Sequence, residues 1–268
     1  SVARYYGPEL SLLRQSGDID IWIPRKPEEV IRWAKEHYRT GVFDCHHIHV
    51  KVFDGIKTEV HYRPMVSRNL LRMARLQKFS RRYGDLSVRP QYSPFPVVPV
   101  EFDAILLLHH IQHHLVSDGV GMRQVMDYYF FLKNCEGLDR KAAMKTAKWL
   151  RLEKFTGALM WVLNEILGLP EEYLLCPPDE KEGRFLIEEI MKSGNMGYHD
   201  SRLDISPGES KPVLFLKWTK HSLRLIRHYP EEVLWNPIGI IALSIWRRVT
   251  ALHMAIRSWH RSQESPEA

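Results

Sequence analysis

Gly17-Asp18-Ile19-Asp20-Ile21-Trp22-Ile23-Pro24 is the stretch from which the fold is read. Polar and apolar residues alternate from Asp18 to Ile23, which predicts a short strand, and Pro24 ends it. Lys26-Pro27-Glu28-Glu29 then opens a helix, with proline and acids in the first turn where the free amides favour them. Val30, Ile31, Trp33, Ala34 and Tyr38 supply its buried side, and Gly41 is expected to stop it. His46 to Phe53 reads as a second strand, Asp54-Gly55 as a tight hairpin turn, and Thr58 to Arg63 as the returning strand, closed by Pro64.

Beyond the hairpin the pattern becomes helical. Between Ser67 and Phe79, Leu70, Leu71, Met73, Ala74 and Leu76 alternate with Arg68, Arg72 and Arg75. Four prolines between Arg89 and Val100 predict an extended linker. Helical patterns follow over 101–116, 121–134, 139–150, 151–167, 179–192, 213–229 and 238–259, with a polar loop over 194–212. The expected fold class is α/β (α+β): a small mixed-sheet domain over 1–89, a linker over 90–100, an all-helical domain over 101–261 and a flexible tail over 262–268.

The 268 residues are 44% hydrophobic and 26% charged, which excludes a disordered or a disulfide-stapled chain. Cys45, Cys135 and Cys176 are far apart with no Cys-x-x-Cys pair, so neither a zinc knuckle nor a disulfide framework is expected. A reducing, cytoplasmic setting is the expectation. The longest apolar run, Pro237 to Trp246, is about half of a membrane span, so no transmembrane helix is expected. A net charge of +6 favours anionic partners weakly. Eight basic residues and one acid, Asp85, lie between Arg63 and Arg89. Without interleaved aromatics they read as a solvated face or an electrostatic funnel, and nucleic acid is not the expected partner.

Asp18 and Asp20 leave one face of their strand with backbones about 7 Å apart. Two carboxylates so close repel unless a cation joins them, and a divalent ion with hard oxygen ligands, Mg²⁺ or Mn²⁺, is the simplest such cation. Glu59 on the return strand is either a solvated strand acid or a third ligand, if its strand lies beside the first.

Arg14-Gln15-Ser16-Gly17-Asp18-Ile19-Asp20-Ile21, followed by Thr58-Glu59-Val60-His61-Tyr62-Arg63, resembles the uncharacterised bacterial nucleotidyltransferase family of the polymerase-β-like superfamily. Leu106-Leu107-Leu108-His109 with His113, then Gly121-x-Arg123 and Asp127, extends the resemblance into the helical half. The resemblance implies a sheet carrying three acids that transfers a nucleoside monophosphate from an Mg²⁺-bound NTP to an acceptor hydroxyl, with loss of pyrophosphate. By position, Asp18, Asp20 and Glu59 are the implied catalytic and metal-ligating residues. Arg14, Ser16, Gly17, His109, His113, Arg123 and Asp127 are the implied nucleotide- or substrate-binding residues. The family's phosphate-cradling Gly-Ser pair has no counterpart here, since Gly7 is followed by Pro8, which has no N–H. Its expected place is upstream of Ser1. Two alternatives stand beside the transferase: a catalytically silent binding or scaffold protein of the same fold, and a protein-adenylylating enzyme of the toxin/antitoxin type.

Other groups have competing readings. His109/His113 and His110/His114 have i, i+4 spacing on one helix, but no Glu completes a His-Glu-x-x-His zinc site. His109 and His113 are assigned to the substrate cleft, and His110 and His114 to a solvated flank. Cys45, His47 and His49 share strand parity, yet a lone strand offers few ligands at tetrahedral geometry, so they read as ordinary strand residues. Arg123 and Asp127 are either an i, i+4 ion pair or a phosphate contact.

Overall fold

The computed structural model describes residues 2–15, 17–89, 95–117, 119–194, 200–202 and 208–263 of the chain. Ser16, the first part of the expected linker (90–94), much of the polar loop (195–199 and 203–207) and most of the expected tail (264–268) lie outside these residues.

Four strands form one mixed sheet: β1 (Asp18–Trp22), β2 (Arg39–Phe43), β3 (His47–Phe53) and β4 (Ile56–His61), in the order β1-β4-β3-β2. β1 runs parallel to β4, and the two other pairings are antiparallel. The Asp54-Gly55 turn joins β3 to β4 as the sequence predicts. Gly55 takes φ +76°, a conformation glycine reaches without steric cost. The helix after β1, α2 (Pro27–His37), packs Val30, Ile31 and Ala34 on Ile48, Val50 and Val60, closing one face of the sheet. Side chains alternate along a strand. The opposite face therefore carries Asp18, Asp20 and Trp22 of β1, Lys57, Glu59 and His61 of β4, and Lys51, His49 and His47 of β3.

β2 is absent from the sequence reading. α2 ends at His37 rather than at Gly41, and Tyr38 is already extended at φ −137°, ψ 158°. Gly41 lies inside β2, where a Cβ would stand 3.3 Å from the His49 Cβ. Glycine there lets the edge strand approach β3, and it also hides the alternation that marks a strand.

A short helix, α1 (Gly7–Ser11), precedes β1. After β4 come α3 (Leu70–Tyr83), α4 (Val100–Ser117), α5 (Met122–Asn134), α6 (Arg140–Trp149), α7 (Glu153–Trp161, continued by a π turn over Val162–Ile166) and α8 (Glu180–Ser193). They enclose a second core around Leu76, Phe102, Leu108, Tyr128, Phe131 and Phe155. Trp22 ties the sheet to this core by stacking on Phe102 with ring centroids 5.1 Å apart, and Phe102 stacks on Phe79 at 5.4 Å. α4 therefore runs under the face that bears the carboxylates.

α3 corrects the sequence reading in two ways. It starts at Leu70, because the Asn69 side chain accepts hydrogen bonds from the Leu71 and Arg72 amides and caps it there. Its arginines do not form one solvated face. Arg72 is 4% exposed, whereas Leu71 is 63% exposed. Arg72 donates to Gln112 Oε1 and to the Arg151 carbonyl, each at 2.8 Å, and contacts Glu232 Oε1 at 2.6 Å. These partners make its burial possible. Arg68 bonds Asn236 and Arg75 bonds the Trp149 carbonyl.

The chain ends in α9 (Lys211–Ser222) and α10 (Pro230–Gln263), the latter with Pro237 inside it. Where α10 crosses the segment before α3, a Cβ on Gly239 would lie 2.2 Å from the Arg68 carbonyl oxygen. Only glycine allows this approach. By length and composition, Pro230–Arg257 is a helix long and apolar enough to cross a membrane, and 11% of its apolar window is buried within the molecule. The sequence reading counted only the unbroken run Pro237 to Trp246, and one helix of this kind is by itself weak evidence of a membrane span. The helix continues through Arg247 and Arg248 with Val249, Leu252 and Ile256 exposed along it.

Candidate active site

The parallel pairing of β1 with β4 sets Glu59 directly opposite Asp20, with Asp18 two residues earlier on the same face. The structure thus brings the three predicted acids to one side of the sheet. Glu59 is buried and Asp20 is half open, with 8% and 53% of their side chains exposed. One step further along, His61 places Nε2 3.2 Å from Asp20 Oδ1 and 3.3 Å from Glu59 Oε2. Lys57 Nζ reaches Glu59 Oε1 at 2.5 Å from the other direction. His47 and His49 approach the same carboxylate from β3, at 3.3 and 3.6 Å.

Burial alone would raise the pKa of Glu59, but hydrogen bonds to His61 and Lys57 hold it well below the usual carboxylate range. Burial opposes a charge on His61, yet its bonds to Asp20 and Glu59 outweigh that and carry its pKa up to about 9. Asp18 is shifted the other way. Partial burial, then repulsion from Asp20 and Glu59, pushes its pKa up, against the pull of Lys57 and Arg123.

These residues fit a divalent cation. Ligand atoms of Asp20, Glu59 and His61 lie within 4.8 Å of one another. Carboxylate oxygens suit Mg²⁺ or Mn²⁺. Repulsion from Asp20 and Glu59, which follows burial in raising the Asp18 pKa, is what such an ion relieves.

The helical candidates divide. Arg123, half-buried on α5, lies over Gly17, with Nη2 3.4 Å from where a Gly17 Cβ would stand. It is also close enough to Asp18 to lower that carboxyl's pKa. Asp127 does not pair with Arg123 among the described residues. It receives two hydrogen bonds from Arg14, both 2.7 Å, and one from the Tyr6 hydroxyl at 2.7 Å. Arg14 and Asp127 therefore fasten the segment before β1 onto α5, and this clamp sets Gly17 against Arg123. Ser16 lies outside the described residues.

The histidines of α4 occupy different environments. His109 is buried, its Nε2 lies 2.7 Å from the Val66 carbonyl, and burial lowers its pKa to about 4. His113 borders a small cavity with Arg68, Ser117 and Asn236. His110 is exposed, as expected of a solvated flank, and is also within electrostatic reach of Asp20 and His61. α4 buries residues on nearly every side, from Phe102 through His109 to Leu115. With buried residues on so many sides, the helix has no single apolar stripe to reveal which histidine meets the sheet.

Lys57 and His61 were missed by the sequence reading, although they share strand parity with Glu59 and that parity was their signal. His47 and His49 were read as ordinary strand residues because a lone strand offers few ligands. The neighbouring strand supplies what that argument lacked, and both histidines meet Glu59. A groove of about 700 Å³ opens beyond the Trp22 and Tyr62 ends of β1 and β4, lined also by Arg25, Arg63 and Arg81; none of the three acids lines it.

Comparison with known proteins agrees with this arrangement at the level of family. No curated protein and no solved structure matches the chain. Residues 5–168 match the protein family described as uncharacterised nucleotidyltransferase. That segment holds β1, β4, α4 and α5, and it covers more than half of the sequence, so the chain belongs to this nucleotidyltransferase family.

Proposed function

We propose that the protein is a metal-dependent nucleotidyltransferase that moves a nucleoside monophosphate from an NTP to an acceptor hydroxyl. The observation that supports this most is the cross-strand pair Asp20–Glu59 with Asp18 on the same face. In the reaction the acceptor oxygen bonds to the α-phosphorus, the bond from that phosphorus to the β-bridging oxygen breaks, and pyrophosphate leaves with the electron pair. A bound Mg²⁺, held by Asp18, Asp20 and Glu59, would neutralise phosphate charge and lower the pKa of the acceptor hydroxyl. Lys57 and the surrounding histidines keep Glu59 ionised and fix its orientation. His61 positions Asp20 against it. Arg123, beside Gly17 and Asp18, offers a planar guanidinium to the phosphate oxygens. The Arg14–Asp127 clamp holds that contact in place.

One observation favours the silent binding protein. α1 opens with Gly7-Pro8, and proline has no N–H with which to cradle phosphate. Incubation with Mg²⁺ and each of the four α-labelled NTPs, in the presence of a cell extract, separates the readings. The transferase reading predicts pyrophosphate release and label transfer with at least one nucleotide, both abolished by EDTA. Label in a discrete protein band identifies protein adenylylation, and label in a small product identifies a small acceptor. No release with any of the four contradicts the transferase and leaves the binding module.

A further inference from the structure

Next to the carboxylates, the same sheet face carries a group of nitrogen donors. His47 and His61 are cross-strand partners on β3 and β4. His46, from the turn before β3, adds a third imidazole, and one nitrogen from each ring lies within 4.8 Å of the others. His46 Nε2 is 2.8 Å from His47 Nδ1. The His46 and His47 ring centroids stand 5.4 and 5.1 Å from that of His61.

The turn that presents His46 is firmly built. Asp44 Oδ1 accepts the backbone N–H of His46 at 2.8 Å and of His47 at 3.2 Å. The His46 carbonyl accepts the amides of Tyr62 and Arg63, at 3.0 and 3.1 Å. The Tyr62 hydroxyl and the Arg63 guanidinium donate to the carbonyls of Asp44 and Cys45. Asp44 Oδ1 also lies 2.8 Å from His46 Nδ1. A carboxylate on Nδ1 holds the proton there and turns the Nε2 lone pair outward, as outer carboxylates do for metal-binding histidines. On His61, whose Nε2 faces Asp20 and Glu59, Nδ1 is buried without a hydrogen-bond partner among the described residues.

We propose that His46, His47 and His61 form a transition-metal site of the zinc class, adjacent to the carboxylate cluster and chemically distinct from it. Imidazole nitrogens select zinc-class ions, whereas the carboxylates of Asp18, Asp20 and Glu59 suit magnesium. Asp44 is the outer partner that orients His46. With metal–nitrogen bonds of 2.0–2.1 Å, tetrahedral ligands stand about 3.3 Å apart, so the His46 and His47 rings part by about half an ångström on binding. His47 and His61 also border Glu59, so the site adjoins the proposed transferase centre, while its metal binding is measured without reference to nucleotidyl transfer.

Titration of the metal-free protein with Co²⁺, followed by its visible ligand-field bands, and zinc-edge X-ray absorption of the Zn²⁺-loaded protein test the assignment. The wild type is expected to bind one ion tightly, with an imidazole-rich shell in the absorption spectrum. His46→Ala is expected to lose the Co²⁺ bands, and Asp44→Asn to weaken binding by about 10- to 100-fold. Asp20→Asn, which removes a carboxylate from His61 Nε2, is expected to keep the bands with weakened binding, as for Asp44→Asn. Circular dichroism and thermal unfolding establish that each variant is folded, and the wild-type spectra decide the matter if His46→Ala is not. An all-oxygen shell, no Co²⁺ bands in the wild type, or bands lost in Asp20→Asn but kept in His46→Ala would each overturn it.

Discussion

Arg72→Ala is expected to destabilise the protein by about 3–5 kcal/mol, among the largest single-residue effects available outside the apolar core. The side chain is 4% exposed and Glu232 is 7% exposed, so the pair is withdrawn from water. Burial pushes the Glu232 carboxyl pKa up despite the pull of Arg72, which shows how much desolvation opposes the ionised pair. Removing the guanidinium leaves the buried Glu232 carboxylate without its cation, and Gln112 Oε1 and the Arg151 carbonyl without their donor. The loss therefore comes mainly from orphaned groups rather than from the strength of one ion pair. Urea unfolding measures it. The double variant Arg72→Met/Glu232→Leu is expected to recover most of the loss, because two apolar side chains then replace two buried charges. A change below about 0.5 kcal/mol in Arg72→Ala would show that α3 and α10 do not depend on this contact.

Asp20→Asn is expected to have the opposite profile. Its side chain is 53% exposed, so stability should stay within about 0.5 kcal/mol of the wild type. Loss of the carboxylate also relieves its repulsion of Asp18. Mg²⁺-dependent nucleotide binding should fall by more than about 100-fold, since even an outer partner of a metal ligand is worth 10- to 100-fold. Calorimetric titration with Mg-ATP, with unfolding measured in parallel, reads both quantities. Unchanged affinity would remove Asp20 from the metal site. Lower affinity with a matching loss of stability would point to a structural role.

The strand–helix–hairpin order at the front of the chain was legible because each signal there is local. Asp18 to Ile23 alternates, Pro27 opens a helix, and Asp54-Gly55 turns a hairpin. The placement of Glu59 beside Asp20 was reachable from parity once β1 and β4 were taken as neighbours. What stayed hidden depends on partners distant in the chain. Arg72 looks like a solvent-facing arginine until Glu232 and Gln112 arrive to satisfy it. Arg14 and Asp127 read as separate members of the implied substrate-binding set, and only the fold shows that they pair. Gly41 reads as a helix stop, because a glycine that permits close strand packing carries no alternation of its own. The histidines of α4 are ambiguous for the converse reason: apolar residues surround that helix, so its sequence does not record which side meets the carboxylates.

Crystals of the wild type soaked with Mn²⁺ and a non-hydrolysable nucleoside triphosphate test the site most directly, through the anomalous signal of the metal. The expected result is a Mn²⁺ peak coordinated by Asp20 and Glu59, with triphosphate oxygens on the same ion and the Arg123 guanidinium beside them. A metal–nucleotide complex bound elsewhere, with Asp20 and Glu59 contacting only Lys57 and the histidines, would contradict the account.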